Sequence, residues 1–577
     1  MIGRMLRQLK KLNLKKIIIV IGYQGRNLTD YIDSLDLGGT KIEYVENPSY
    51  AKTNNIYSLA LAKKHLTEDD TILLESDIML DDSILPIIVS NENPNVALVA
   101  KYQTWMDGTM VQIDEDNNIV NFVPKKAFKY SQTGSYYKTV NVYKFSREFS
   151  THKYVPFLDA YCQALGNNEY YEQVLRVICM LNSSDLKALP VEESKWYESD
   201  DKADIDVASS IFAQGGERLE KYQQRFGGYW RFPKMLDSCY LVNPYFPTAR
   251  MMDEMRANFD TLLTQYPSGM RVNCLLASKC FGVGEEYILP GNGAAELIRG
   301  LVERLSGRLG VVFPTFEEYP NRMDPSRIEE FFPSDGDFRY GAKEIISYFG
   351  EHKVENLLLV NPDNPSGNLL PTEEVERVAE WCEGNDIRLI LDESFLDFAQ
   401  DGATQSMLSD ASLERYPDMV VIKSISKSYG VPGLRLGVLA SADRGLIAGL
   451  KKDVPIWNIN SFAEFFMQIF NKYEADYREA RWKFLQERTA FFKELSAVPF
   501  LRVIPSQANF FLCEVKSPLD SRTLAERLLN EHDILVKDCS SKKGFGGKDF
   551  IRIAVRDKGD NTRLINVLKG YETTEIQ

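Results

Sequence analysis

The sequence has only four histidines, His65, His152, His352 and His532, and none stands at a ligand-like spacing from another. That speaks against a His-ligated metalloenzyme. The eight cysteines, from Cys162 to Cys539, include no C-x-x-C pair. Zinc ribbons and a disulfide framework are therefore not expected, and buried reduced thiols are. Positive charge is in deficit: 68 Lys and Arg stand against 82 Asp and Glu, a formal net charge of -14. Nucleic acid is not an expected partner, because phosphate-backbone binding needs clustered positive charge. No apolar run reaches the length of a membrane span or a secretory leader, and Ile17-Ile-Ile-Val-Ile21 is only strand-sized. With no targeting segment recognised, the expected compartment is the cytoplasm. Internal repeats, heptads and low-complexity tracts are also missing. What remains is a chain of 577 residues, 44% hydrophobic and 26% charged, long enough for two separate cores.

The first part alternates helical and strand-like stretches. A helical segment, Met5 to Leu12, leads into Ile17 to Ile21, and further strand-like runs lie at Lys41 to Val45, Thr71 to Glu75 and Ala97 to Ala100. This alternation predicts an open α/β parallel sheet, whose chemistry lies beyond the carboxyl ends of its strands. The run Thr71-Ile-Leu-Leu-Glu75-Ser-Asp77 ends in a carboxylate, and a second acidic turn is Trp196-Tyr-Glu198-Ser-Asp200. Asp77 and Asp200, brought together from separate segments, could hold a magnesium ion completed by substrate phosphates. Helix capping or solvated turns are the alternative for both. A polar connector around Gly215 to Arg225, closed by Gly227, Gly228 and Pro233, marks a boundary. The expected domains are 1–220 and 236–577, with a linker over 221–235.

The second part carries a denser set of motifs. Tyr287-Ile-Leu289 leads to Pro290-Gly-Asn-Gly293-Ala294-Ala295, a strand, a turn and a helix start whose free amides suit an anion. Val311-Val-Phe-Pro-Thr-Phe316 sets an aromatic ring after a strand. Leu357 to Val360 runs into Asn361-Pro-Asp-Asn364-Pro, where Asn364 can donate to a phenolate oxygen. Arg388-Leu-Ile-Leu ends in Asp392, a carboxylate that needs a cation when buried. Met419 to Ile422 is followed by Ser424-Ile-Ser426-Lys427, with Arg435 close behind. A partly buried lysine amine is nucleophilic toward an aldehyde, and Ser424, Ser426 and Arg435 can hold a phosphate. These parts match the requirements of pyridoxal 5'-phosphate: Lys427 for its aldehyde, Asp392 for its ring nitrogen, Asn364 for its phenolate and Phe316 for its ring face. Gly293, Ala294, Ala295, Ser424, Ser426 and Arg435 would cradle its phosphate.

These motifs resemble fold-type I aminotransferases of class I/II, in the branch of histidinol-phosphate aminotransferases and threonine-phosphate decarboxylases. The resemblance implies large and small subdomains and a homodimer. It also implies substrate contacts at Asn243 and Tyr245, an acidic-group contact at Arg552 within Phe550-Ile-Arg-Ile, and a cofactor-phosphate contact from Tyr266 of the partner subunit. Phe395 stands where many relatives carry a tyrosine. The first part resembles sugar-nucleotidyltransferase-type enzymes of the choline-phosphate cytidylyltransferase branch, through Asn47-Pro48, Asn54-Asn55-Ile-Tyr-Ser and the turns ending at Asp77 and Asp200. By that resemblance the sheet is Rossmann-like, Asp77 and Asp200 bind magnesium, and Asn54 and Asn55 lie near nucleotide or acceptor. That family opens on a strand and a Gly-rich loop with an arginine and a lysine, whereas this sequence runs from Met1-Ile-Gly3-Arg4 straight into the following helix.

The two-part architecture resembles bifunctional 2-aminoethylphosphonate cytidylyltransferase and transaminase proteins. Phosphonoacetaldehyde, an amino donor and CTP would then be the partners. Decarboxylation of a phosphorylated amino acid uses the same second-part residues and stays open. So does a first part that serves as a docking platform.

Overall fold

The computed structural model describes residues 1–181, 185–191, 195–402 and 404–572. They form two compact units, Met1–Ala213 and Gln214–Gln577. The segment expected as a linker over 221–235 lies inside the second unit. Helix Gly215–Gln224 packs on helix Ser521–His532, where the buried Arg218 donates to the Leu529 carbonyl at 2.6 Å and pairs with Asp533. Strand Leu236–Asp237 then pairs in parallel with Ile534–Leu535. A buried guanidinium with both partners supplied is a docked element, which polar composition alone does not reveal.

In the first unit the expected single parallel sheet is divided. Ile17–Ile21 pairs in parallel with Ile42–Glu46 through helix Gly25–Asp33. Thr71–Leu74 and Val96–Lys101 instead pair antiparallel with the nine-residue strand Tyr137–Phe145. That strand returns from the hairpin of Met110–Ile113 and Ile119–Val123 and takes both edges. Among the described residues Ile17–Ile21 and Thr71–Leu74 share no ladder, and both line one cavity of about 1660 Å³. Helix Ile2–Lys10 seals one face with Met5, Leu6 and Leu9, which join Ile17 and Ile32 in a core. The short pair Ile78–Leu80 and Trp196–Glu198 sets Glu198 opposite Ile78 and so brings the two acidic turns together.

The second unit is built on a seven-stranded sheet. Its order is Ile288–Asn292, Leu436–Ala440, Val420–Ser424, Arg388–Asp392, Asn356–Val360, Leu309–Val312 and Ile328–Phe331, with only Leu436–Ala440 antiparallel to its neighbours. The central strands are unbroken aliphatic runs because helices cover both faces. Leu357, Leu359, Leu389, Leu391 and Val421 enter one core, while Leu358, Val360, Ile390, Val420 and Ile422 enter the other. This is the two-residue period of a strand, and each buried side chain contributes about 1.5–3 kcal/mol. A smaller antiparallel sheet of Leu501–Val503, Phe510–Val515, Phe550–Ala554 and Lys537–Asp538 forms the subdomain that carries Arg552. None of the eight cysteines is in a disulfide. Among the described residues no helix is long and apolar enough to cross a membrane.

Candidate active site

Strand register assembles the site in the second unit. Ser424 lies opposite Gly437, and Gly437 lies opposite Gly291. The turn at Gly293, the serines and Arg435 therefore meet at one sheet edge. Gly293 has φ +77, and a Cβ there would run into the Arg435 guanidinium. Helix Ala294–Val302 starts at this point, so the first amides of Ala294 and Ala295 face the same space as Arg435. Ser426 is buried and its Oγ has no hydrogen-bond partner. An unpartnered buried hydroxyl, a guanidinium against a glycine and a helix start make a cup that fits a phosphate.

Lys427 lies on the short helix Ile425–Ser428 that follows strand Val420–Ser424. Burial pushes its amine down to about 8, partly countered by Asp392 and reinforced by Arg552. Its Nζ sits 3.9 Å from the centroid of Phe395 and 5.3 Å from that of Phe316. Asp392, buried at the end of its strand, accepts from the Tyr319 hydroxyl at 2.8 Å and from the Ser394 amide at 2.9 Å. Arg552 donates through Nη1 to Asn364 Oδ1 at 2.7 Å, and its Nε is buried without a partner. Asn364 and Arg552 are thus adjacent. The residues present fit pyridoxal phosphate: amine, carboxylate, aromatic faces and phosphate cup lie at one edge.

Asn243 and Tyr245 lie in the segment that packs on the backbone of Lys427 and Ser428. The Asn243 backbone amide donates to the Lys427 carbonyl and its Nδ2 to the Ser428 carbonyl, both at 2.9 Å, while its Oδ1 accepts from the Tyr245 amide. Its backbone thus holds the lysine's carbonyl, while its side chain bridges the Ser428 carbonyl and the Tyr245 amide. Tyr266 is 79% exposed and stacks on Trp457 at 4.3 Å.

Sequence reasoning missed three supports. Tyr319 is separated from Asp392 by 73 positions and carries no local signal. Asp397 accepts from Lys423 Nζ at 2.8 Å, Ser428 Oγ at 2.9 Å and Tyr477 at 3.0 Å, and so braces the turn around Lys427 from behind. Ser394 accepts from the Ser424 amide at 3.0 Å.

In the first unit Asp77, Asp200, Asn54 and Asn55 all line the large cavity. Asn54 caps helix Asn55–Leu66, and Asn55 Nδ2 donates to Glu75 at 3.1 Å. Burial, then the charge of Asp200, raises the Asp77 carboxyl. Oxygens of Glu75, Asp77 and Glu198 lie within 4.8 Å of one another, a set that leaves out Asp200. The signal for Glu75 and Glu198 was present, since residues two apart in extended chain share a face and each glutamate stands two before an aspartate in a Glu-Ser-Asp turn. Lys138, 1% exposed, pairs with Glu198 at 2.9 Å.

Residues 279–568 match the family described as Aminotransferase class I and II. The CMP-5'-(3-aminopropyl)phosphonate synthase of Streptomyces rubellomurinus is 29% identical over 99% of this chain and 91% of its own. The L-serine phosphate decarboxylase of Sulfurospirillum multivorans is 30% identical over 58% of this chain and 87% of its own. Among solved structures, a decarboxylase from Sulfurospirillum multivorans aligns with TM-score 0.56 and 27% identity, covering 64% of this chain and 96% of that one. The histidinol-phosphate aminotransferase of Clostridium acetobutylicum aligns with TM-score 0.53 and 26% identity, covering 59% and 99%. Pyridoxal phosphate is the cofactor expected of this class. With the lysine, aspartate and phosphate cup at one sheet edge and the family match extending over half the sequence, this chain belongs to the class I and II aminotransferases.

Proposed function

We propose that the second unit transfers an amino group to a small aldehyde bearing a phosphonate, phosphonoacetaldehyde being the first choice, and that the first unit joins the amine product to CMP from CTP. The observation that carries this reading is the likeness to the Streptomyces synthase, which spans both units. That protein's name couples an aminoalkylphosphonate to CMP.

The cofactor, when bound, supplies an aldehyde and an electron-withdrawing ring. Gly293, Ala294, Ala295, Ser424, Ser426 and Arg435 would hold its phosphate, and Asp392 would pair with its protonated ring nitrogen. Tyr319 and the Ser394 amide fix that carboxylate, so it stays aimed without moving. Lys427, partly neutral near pH 8, would take the proton from the amine-bearing carbon of the amino donor and deliver one to the aldehyde-derived carbon of the acceptor. Arg552, steadied by Asn364, holds the substrate's anionic group. Tyr266 completes the cup of the partner subunit in a homodimer. In the first unit Glu75, Asp77 and Glu198, with Asp200 lining the same cavity, would hold a magnesium ion, which would neutralise the charge of nucleotide phosphates.

A second reading, decarboxylation of a phosphorylated amino acid, is favoured by the 30% identity to the Sulfurospirillum serine phosphate decarboxylase. Purified protein incubated with phosphonoacetaldehyde and alanine, aspartate or glutamate decides between them. Amination, followed by a CMP conjugate when CTP and magnesium are added, supports the first reading. Carbon dioxide from O-phospho-L-serine with no amination replaces it by the second.

A further inference from the structure

The acidic end of the first unit's cavity carries more negative charge than its own residues neutralise. Glu75, Asp77, Glu172, Glu198 and Asp200 line it, and the buried cation among them is Lys138. Lys138 is already committed to Glu198 at 2.9 Å and to the Thr139 carbonyl at 3.0 Å. The other lining lysines with ion pairs serve elsewhere: Lys15 pairs with Asp69, Lys16 with Glu68 and Lys125 with Asp107. Glu75 is braced by neutral donors, Asn55 at 3.1 Å and Asn141 at 3.0 Å.

Glu172 differs from the rest. It opens helix Glu172–Leu181, is only 4% exposed, and its Oε2 has no hydrogen-bond partner. A carboxylate taken out of water without a partner costs several kcal/mol, so its retention at a cavity wall points to a partner that arrives with a ligand. The ligand's charge is then positive. A divalent ion is served by the triad of Glu75, Asp77 and Glu198, and Glu172 stands outside it. Tyr161, Tyr170 and Tyr171 line the same cavity. Aromatic faces beside a carboxylate favour an organic ammonium with its alkyl stem.

We propose that Glu172 binds the ammonium group of an aminoalkylphosphonate acceptor, so that the first unit selects its substrate by the amine. This rests on the reading that the first unit acts on the amine made by the second.

The test is hydrogen exchange on the full-length protein, read in peptides covering residues 169–181, with 2-aminoethylphosphonate or with ethylphosphonate, which lacks the amine. Peptides covering 424–437 report binding in the second unit separately. The amine compound should protect 169–181 at concentrations ten- to hundredfold below ethylphosphonate, the range for a hydrogen bond to a charged group. Glu172→Gln should abolish that preference. Equal protection by both compounds, no protection by either, or a preference that survives Glu172→Gln overturns the proposal. If the variant unfolds early, the contrast between the two compounds on the unaltered protein decides. A parallel assay of CMP transfer separates the two claims. Transfer with no amine preference leaves the reading of function and removes this site, whereas a local amine preference without transfer to any phosphonate does the reverse.

Discussion

The lowered amine of Lys427 has a consequence that can be measured. At pH 7 a lysine titrating near 8 is about a tenth neutral, whereas one at its ordinary value of 10.5 is neutral at only about three parts in ten thousand. The difference is on the order of 300-fold in reactive amine. Capture of added pyridoxal phosphate by protein stripped of cofactor, followed by absorbance, should therefore rise with pH and bend near 8. A rate that climbs tenfold per pH unit through pH 10 would refute the assignment of burial as the dominant influence. Two variants fix the sign. Asp392 raises the amine, so Asp392→Asn should move the bend to lower pH; Arg552 lowers it, so Arg552→Gln should move the bend up. Linkage agrees: the folded value lies below the unfolded one, so the unfolded chain binds the extra proton between about pH 8 and 10.5. The cofactor-free protein should gain about 3 kcal/mol from this group as pH rises through that window.

Other perturbations test the supports. Tyr319→Phe removes the donor to Asp392 with little loss of packing, and cofactor affinity or turnover should fall about ten- to hundredfold while the unfolding temperature holds. Gly293→Ala puts a Cβ against Arg435 at a positive φ, and equilibrium titration should show cofactor affinity weakened at least about tenfold. Asp397→Asn leaves Lys423 buried without its counter-charge, costing about 3–5 kcal/mol in denaturant unfolding; adding Lys423→Met should recover much of it.

Much of the second unit could be read from residue order. Its strands are unbroken aliphatic runs because two helical layers cover them, and each run ends in a residue that meets the site: Asp392, or Ser424 leading to Lys427. Supports brought in from the side were not legible. Tyr319 reaches Asp392, and Lys423 reaches Asp397, through packing that no spacing announces. The spacing of Asn243 likewise does not announce that its backbone amide meets the Lys427 carbonyl and its side chain the Ser428 carbonyl. In the first unit the alternation of helix and strand suggested one parallel sheet. The pairing depends on where Tyr137–Phe145 inserts, and a strand's choice of partner is a long-range property. Arg218 likewise turns a polar helix into a docked one, through a partner more than three hundred positions away.

The divided sheet of the first unit has a mechanical consequence. Its parallel pair and its larger sheet share no ladder between Ile17–Ile21 and Thr71–Leu74, but at one end the chain just before each strand is joined by ion pairs, Lys15 to Asp69 at 2.7 Å and Lys16 to Glu68. Such exposed pairs are worth at most about 1 kcal/mol each and weaken as the screening length falls from about 30 Å at 0.01 M salt to about 3 Å at 1 M. The two sheets are held there by a clasp whose grip depends on ionic strength. Added salt should loosen the first unit, seen as faster amide exchange along both bare edges, while the continuous sheet of the second unit stays unchanged.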